Sequence, residues 1–179
     1  NYDRFTLTED QMNADVNFLQ SIDAEEVLLT GGDPFLNLKR LRIFTDKIVD
    51  NVPTMKIIRI ATRVFTQDPK VLSDDLITFL QKLNERVRVE VATQINSAVE
   101  LDCIEVQNAF KRVRALGIPV YSQNVFLKGV NDTPQQLIDL YHAMRVNGIE
   151  AHYLFHCIPM RGIHHLRPSV DCMIRCYEE

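Results

Sequence analysis

Apolar and polar positions alternate along the chain with two periods. Five short stretches carry the strand signal: 25–30 (EEVLLT), 56–62 (KIIRIAT), 86–93 (RVRVEVAT), 118–127 (IPVYSQNVFL) and 151–157 (AHYLFHC). Between them the apolar residues recur at helical spacing over 8–22, 38–50, 73–83, 103–116 and 133–146. Helix starts are written into the sequence. Thr8 with Gln11 has the spacing of a capping box, and Asp33-Pro34 and Thr133-Pro134 each pair an N-cap with a proline in the first turn. Gly117 and Gly148 each follow a helical run, as glycines past a helix end do.

The order is therefore α-β repeated five times. Such alternation gives parallel strands joined by right-handed crossovers, either as an open doubly wound sheet or as a (β/α) barrel. The strand faces favour the barrel. Val87, Val89 and Val91 share one face of their strand, while Arg88, Glu90 and Ala92 share the other, which Gln94 and Asn96 would continue. Arg59, Ala61 and Arg63 oppose Ile58 and Ile60, and Ser122 and Asn124 share a face. Strands covered by helices on both sides read as continuous apolar runs. Three successive strands with one polar face point to a wide lumen that a ligand can fill. The expected fold is α/β, a partial (β/α) TIM-like barrel in one domain spanning 1–179.

Composition excludes whole classes. With 179 residues, 46% hydrophobic and 25% charged, the chain has the make-up of a globular domain, not of a disordered or disulfide-stapled one. A net charge of −4 supplies no bulk field for nucleic acid or anionic membrane, and no apolar run is long enough for a bilayer span. Four cysteines without a CxxC pair read as reduced thiols, which suggests the cytoplasm. The expected partner is a small molecule, with a homo-oligomer left open. The chain starts at Asn1 and stops inside a helical pattern, so we expect a segment of a longer protein.

In parallel α/β folds, ligands sit beyond the carboxyl ends of the strands. The residues there are Thr30-Gly31-Gly32-Asp33, Thr62-Arg63, Thr93 to Asn96, the segment around Gln123, Asn124 and Lys128, and His156-Cys157 with Arg161. Gly31 and Gly32 allow close backbone approach, or simply make a tight turn capped by Asp33. Arg59, Arg63 and Arg88 face either an anionic ligand or an internal acid, with Glu90 nearest. Gln94, Asn96, Gln123 and Asn124 suit base or sugar recognition, or a satisfied internal network. Lys128 reads as a solvated turn lysine ahead of a Schiff-base former. His152, His156, His164 and His165 lack partners at metal-ligand spacing. The CxxxC pair Cys172 and Cys176 reads as two half-buried thiols on a terminal helix, short of what a cluster needs.

Taken in order, several stretches resemble one family. Residues 26–34 (EVLLTGGDP) are similar to the GGD/GGE strand of radical S-adenosylmethionine (SAM) enzymes. Residues 58–63 (IRIATR), 123–132 (QNVFLKGVND), 152–157 (HYLFHC) and 162–167 (GIHHLR) resemble lysine 2,3-aminomutase and its relatives. The resemblance implies SAM, a [4Fe–4S] cluster and pyridoxal 5′-phosphate (PLP) as cofactors. SAM cleavage would give a 5′-deoxyadenosyl radical, and an amino group would migrate between neighbouring carbons of a PLP-bound amino acid. It implies that Gly31, Gly32 and Asp33 meet the SAM amino group, and that Arg63, Gln94 and Gln123 lie around SAM. The family's CxxxCxxC loop would precede Asn1, and its PLP lysine would follow Glu179. Where the family has Thr-His-x-Asn-His-Pro, this chain has Thr93-Gln94-Ile95-Asn96-Ser97-Ala98. Where lysine-specific members carry an Asp, it has Ile158, which argues against lysine as substrate. The rival readings are a non-catalytic barrel scaffold and an unrelated α/β nucleotide-binding domain, the latter without a GxGxxG or P-loop.

Overall fold

The computed structural model describes residues 7–178. The chain ends singled out above, Asn1 and Glu179, lie outside them. Five strands form one sheet: β1 (Glu26–Leu29), β2 (Ile57–Ala61), β3 (Arg88–Thr93), β4 (Val120–Phe126) and β5 (Glu150–His156). The helices are α1 (Glu9–Ser21), α2 (Leu38–Asn51), α3 (Val64–Gln67), α4 (Asp74–Asn84), α5 (Ile104–Arg114), α6 (Pro134–Val146) and α7 (Val170–Glu178).

All neighbouring strands are parallel and lie in the order β1-β2-β3-β4-β5. This order separates the two architectures left by the sequence. A doubly wound sheet reverses its strand order at a switch point. Here the order never reverses, so right-handed crossovers place every connecting helix on the same face. The other face is left for a lumen, as in a partial barrel.

The helix-side face makes the core. Ile58, Ile60, Val89, Val91 and Val120 are buried against Leu41 and Ile48 of α2, Leu76, Leu80 and Leu83 of α4, and Phe110 and Val113 of α5. Helix ends follow the expected chemistry. Thr8 accepts from the Gln11 N–H at 3.2 Å while Gln11 accepts from the Thr8 N–H at 2.8 Å, and Thr133 with Gln136 repeats the arrangement. Gly148 follows the Asn147 cap of α6 at φ +64°, a conformation that costs glycine nothing.

The lumen face departs from expectation at β4. The alternation places Tyr121, Gln123 and Val125 toward the lumen and buries Val120, Ser122, Asn124 and Phe126 on the helix side. Gln123 and Asn124 are adjacent in a strand, so they cannot share a face. A register shift after Ser122 leaves His152 of β5 without a partner on β4.

Candidate functional site

The lumen is divided into a lower half and an open cleft above it. The lower half is an ion cluster. Arg59 donates to Glu90 Oε2 through Nε at 2.9 Å and through one terminal nitrogen at 2.6 Å, and Arg88 Nε donates to Glu90 Oε1 at 3.0 Å. Glu26 lies 3.3 Å from the Arg59 guanidinium, and the Tyr121 ring faces it at 5.5 Å. Burial works against the Arg59 charge, but the hydrogen bonds and charge of Glu90 outweigh it, so its pKa is raised. The Glu90 hydrogen bond raises that of Arg88 too. Two of the three arginines read as possible anion seats are thus paired internally.

Above this floor, at the carboxyl ends of the strands, an open cavity of about 470 Å³ is lined by Thr30, Gly31, Gly32, Asp33, Arg63, Thr93, Gln94, Gln123 and neighbours. All six residues that the resemblance assigned to SAM line this one space. Gly31 holds φ +124°, and a Cβ built on Gly31 or Gly32 meets no atom within 4 Å. Their backbone is therefore open to a ligand. One buried polar atom of a cleft residue lacks a protein partner, Arg63 Nε; Thr93 Oγ1 lacks one too, but Thr93 is in register with Ser122, so its side chain is on the helix side. Buried polar groups are nearly always paired, so the orphan Arg63 donor marks where a ligand's acceptor fits.

Asp33 is placed differently. It lines the cleft, yet its carboxylate already accepts from the Phe35 N–H at 3.2 Å, the Thr62 hydroxyl at 2.9 Å and the Arg63 N–H at 2.7 Å. It caps the short 3₁₀ turn Pro34–Asn37 and ties the loop after β1 to the end of β2. Asp33→Ala is expected to lower stability by about 2 kcal/mol, the size of a lost cap with charged hydrogen bonds. Thermal unfolding checks this, and Thr62→Val should shift the midpoint in the same direction.

The four amides separate into two roles. Gln94 and Gln123 line the cleft. Asn96 and Asn124 do not. β3 ends at Thr93, so Asn96 is in the following loop, where its Oδ1 accepts from the Val125 N–H at 2.8 Å. Asn124 is fully buried on the helix side, where it donates to the Ile95 carbonyl and lies 3.5 Å from Met144 Sδ. Both expectations of a lumenal amide there are corrected by strand phase and strand length.

Lys128 is exposed in a turn, with its N–H bonded to the Leu166 carbonyl at 2.8 Å. His156 Nε2 lies 3.0 Å from the Pro168 carbonyl, while His152, His164 and His165 are exposed. Among the described residues no group of three or more His, Cys, Asp or Glu is placed to hold a metal ion. Cys172 and Cys176 both donate to the Asp132 carbonyl, at 3.6 and 3.3 Å. Sequence reasoning placed Thr93 among the strand-end residues without giving it a role, and missed Glu100. A Thr at a strand end gives no signal, and Glu100 reads only as a helix-start acid. No helix among the described residues is long and apolar enough to cross a membrane.

Comparison with known proteins adds relatives to this geometry. No protein-family model matches the sequence. The L-lysine 2,3-aminomutase of Methanococcus maripaludis is 33% identical over 149 residues, 82% of this chain and 33% of that protein. That of Haemophilus influenzae is 31% identical over 80% of this chain and 41% of its own length. That of Bacillus subtilis is 28% identical over 90% and 34%. The chain thus spans between a third and about two fifths of these relatives. In fold alone it is similar to a radical SAM methyltransferase from Sphaerobacter thermophilus (TM-score 0.61, 19% identity, 94% of this chain and 52% of that one). It is also similar to a domain of a pyruvate-formate lyase-activating enzyme from Bacteroides vulgatus (TM-score 0.57, 12% identity, 85% and 90%).

Proposed function

From the premise that this chain belongs to the lysine 2,3-aminomutase-like family of the radical SAM superfamily, we propose that its cleft seats SAM. The enzyme it serves moves an amino group between neighbouring carbons of an amino acid. The carrying observation is the gathering of Gly31, Gly32, Arg63, Gln94 and Gln123 around one cavity, with the unpartnered Arg63 Nε beside it. In this reading the exposed backbone at Gly31 and Gly32 accepts from the SAM ammonium, and Arg63 meets a carboxylate, for which a guanidinium fork is suited. Gln94 and Gln123 hydrogen-bond the ribose or base. SAM bound here supplies the radical chemistry of the superfamily when paired with a reduced [4Fe–4S] cluster.

The described residues do not fit that cluster, since no set of thiolates converges on the cleft. Anaerobic iron and sulfide reconstitution of this chain is expected to leave no stoichiometric cluster in its absorption spectrum.

Ile158 bears on the substrate. It lies just past β5 and is 64% exposed, and it offers no charge to a distal ammonium. The reading is therefore amino migration on an amino acid other than lysine, checked by assaying the full natural protein with lysine beside neutral amino acids. The SAM seat is tested by titration calorimetry with S-adenosylhomocysteine, which needs no cluster. One site per chain is expected, weakened about five- to tenfold by Gln94→Ala or Gln123→Ala, the value of one hydrogen bond each. A folded chain that binds no S-adenosylhomocysteine overturns the reading, as does binding unaffected by both variants.

A further inference from the structure

We infer that Glu100 is a positioning residue of the cleft, which shapes the loop after β3 with one carboxylate oxygen and aims Arg63 with the other. It touches no cavity-lining backbone itself, and its action is indirect. Oε1 accepts from the Asn96 N–H at 2.7 Å and from the Ser97 N–H at 3.1 Å. These bonds fix the chain immediately after Gln94, at the start of the 3₁₀ turn Ala98–Leu101. Oε2 faces the Arg63 guanidinium at 3.7 Å, across from the next strand end.

That distance is informative. It is within ion-pair range but beyond a hydrogen bond, so the charge of Glu100 orients Arg63 without using its donors. Nε of Arg63 accordingly stays buried with no protein acceptor. The pair is part-exposed, at 41% for Arg63 and 26% for Glu100. It is worth little to stability, as solvent screens it. Its consequence is geometric: an arginine on a long flexible stem is held over the cavity before a ligand arrives, which lowers the ordering cost of binding.

The two oxygens can be tested separately. Glu100→Gln keeps an oxygen for the Asn96 and Ser97 N–H groups and places an NH₂ against the guanidinium. It is expected to leave the unfolding midpoint unchanged while weakening S-adenosylhomocysteine binding about fivefold, the upper range for a part-exposed pair. In an Arg63→Met background the same substitution should change affinity no further, because it acts through Arg63. Glu100→Ala should lower the midpoint as well. Additive losses in the double variant, or equal binding by Glu100→Gln, overturn the inference. The inference rests on the SAM reading for its probe, so a second measurement separates the two. If the wild-type chain binds no S-adenosylhomocysteine, the SAM reading fails, and the Arg63 Nε–H signal in nitrogen-edited NMR decides the positioning role. It should shift and exchange faster with water in Glu100→Gln, and an unchanged signal sinks the proposal.

Discussion

Glu90→Ala is expected to destabilise the chain by about 3 kcal/mol in urea unfolding, the lower end of the loss when one partner of a buried ion pair is removed. Glu90 is 4% exposed in its side chain and Arg59 19%, so neither charge is well solvated. The carboxylate accepts from both Arg59 and Arg88, and its loss leaves the Arg59 guanidinium inside the lumen with Glu26 alone, 3.3 Å away. That remaining acid is why the figure is low in its range. The sign with pH follows from the raised pKa of Arg59. A raised cationic group contributes stability fully below its unfolded pKa and loses it only as pH rises through the folded one. For arginine both lie above the neutral range, so on the arginine side the pair holds throughout ordinary buffers. Replacing both partners, Arg59→Met with Glu90→Leu, should recover much of the loss, since an apolar pair leaves no buried charge behind. A Glu90→Ala midpoint equal to wild type would mean that water already fills the floor. The cleft above would then be deeper than described.

How far the sequence reaches is visible in the same residues. The five strands and the main helices are legible because their periods are unmixed, and their caps fall where Thr8, Asp33 and Thr133 say. The barrel is legible from polar faces on three successive strands, though the third argument used the wrong face of β4. Ser122 and Asn124 do share a face, but it packs on helices, and their polarity serves the loop after β3 instead of a lumen. A period of two gives the pairing of residues and leaves open which side is inside. Short features are the least legible: α3 and the 3₁₀ turns follow from loop geometry, with no periodic signal to carry them. The cleft residues were found through position at strand ends, whereas Glu100 needed coordinates. Whether Asp33 meets a ligand or caps a turn could not be read from Gly-Gly-Asp-Pro, because both uses ask for the same residues.

The second large effect is expected at Asn131, a residue outside the cleft. Asn131 is fully buried. Its Oδ1 accepts from the Leu127 N–H at 2.7 Å, and its Nδ2 donates to the Val125 carbonyl at 2.9 Å and the Asn96 carbonyl at 3.0 Å. Asn96 answers by accepting from the Val125 N–H. The two asparagines thus bind the loop after β3 to the end of β4, which are the segments that carry Gln94 and Gln123. Asn131→Ala removes one acceptor and two donors at once and takes the side-chain partner from three backbone groups, one buried and two part-buried. Each such group costs about 1–3 kcal/mol, so a loss of about 3 kcal/mol or more is expected. Asn131→Asp should be no better, since it keeps the acceptor but sets a carboxylate against two carbonyls. Asn131→Leu should be comparable to Ala, because filling the volume satisfies none of the three groups. Amide hydrogen exchange gives the local reading: protection at Val125 and Leu127 should fall in Asn131→Ala, with weaker S-adenosylhomocysteine binding as the two loops lose their common anchor. A variant that keeps that protection and unfolds within about 1 kcal/mol of wild type would show that water takes over these bonds, and that the cleft is held open by its strands alone.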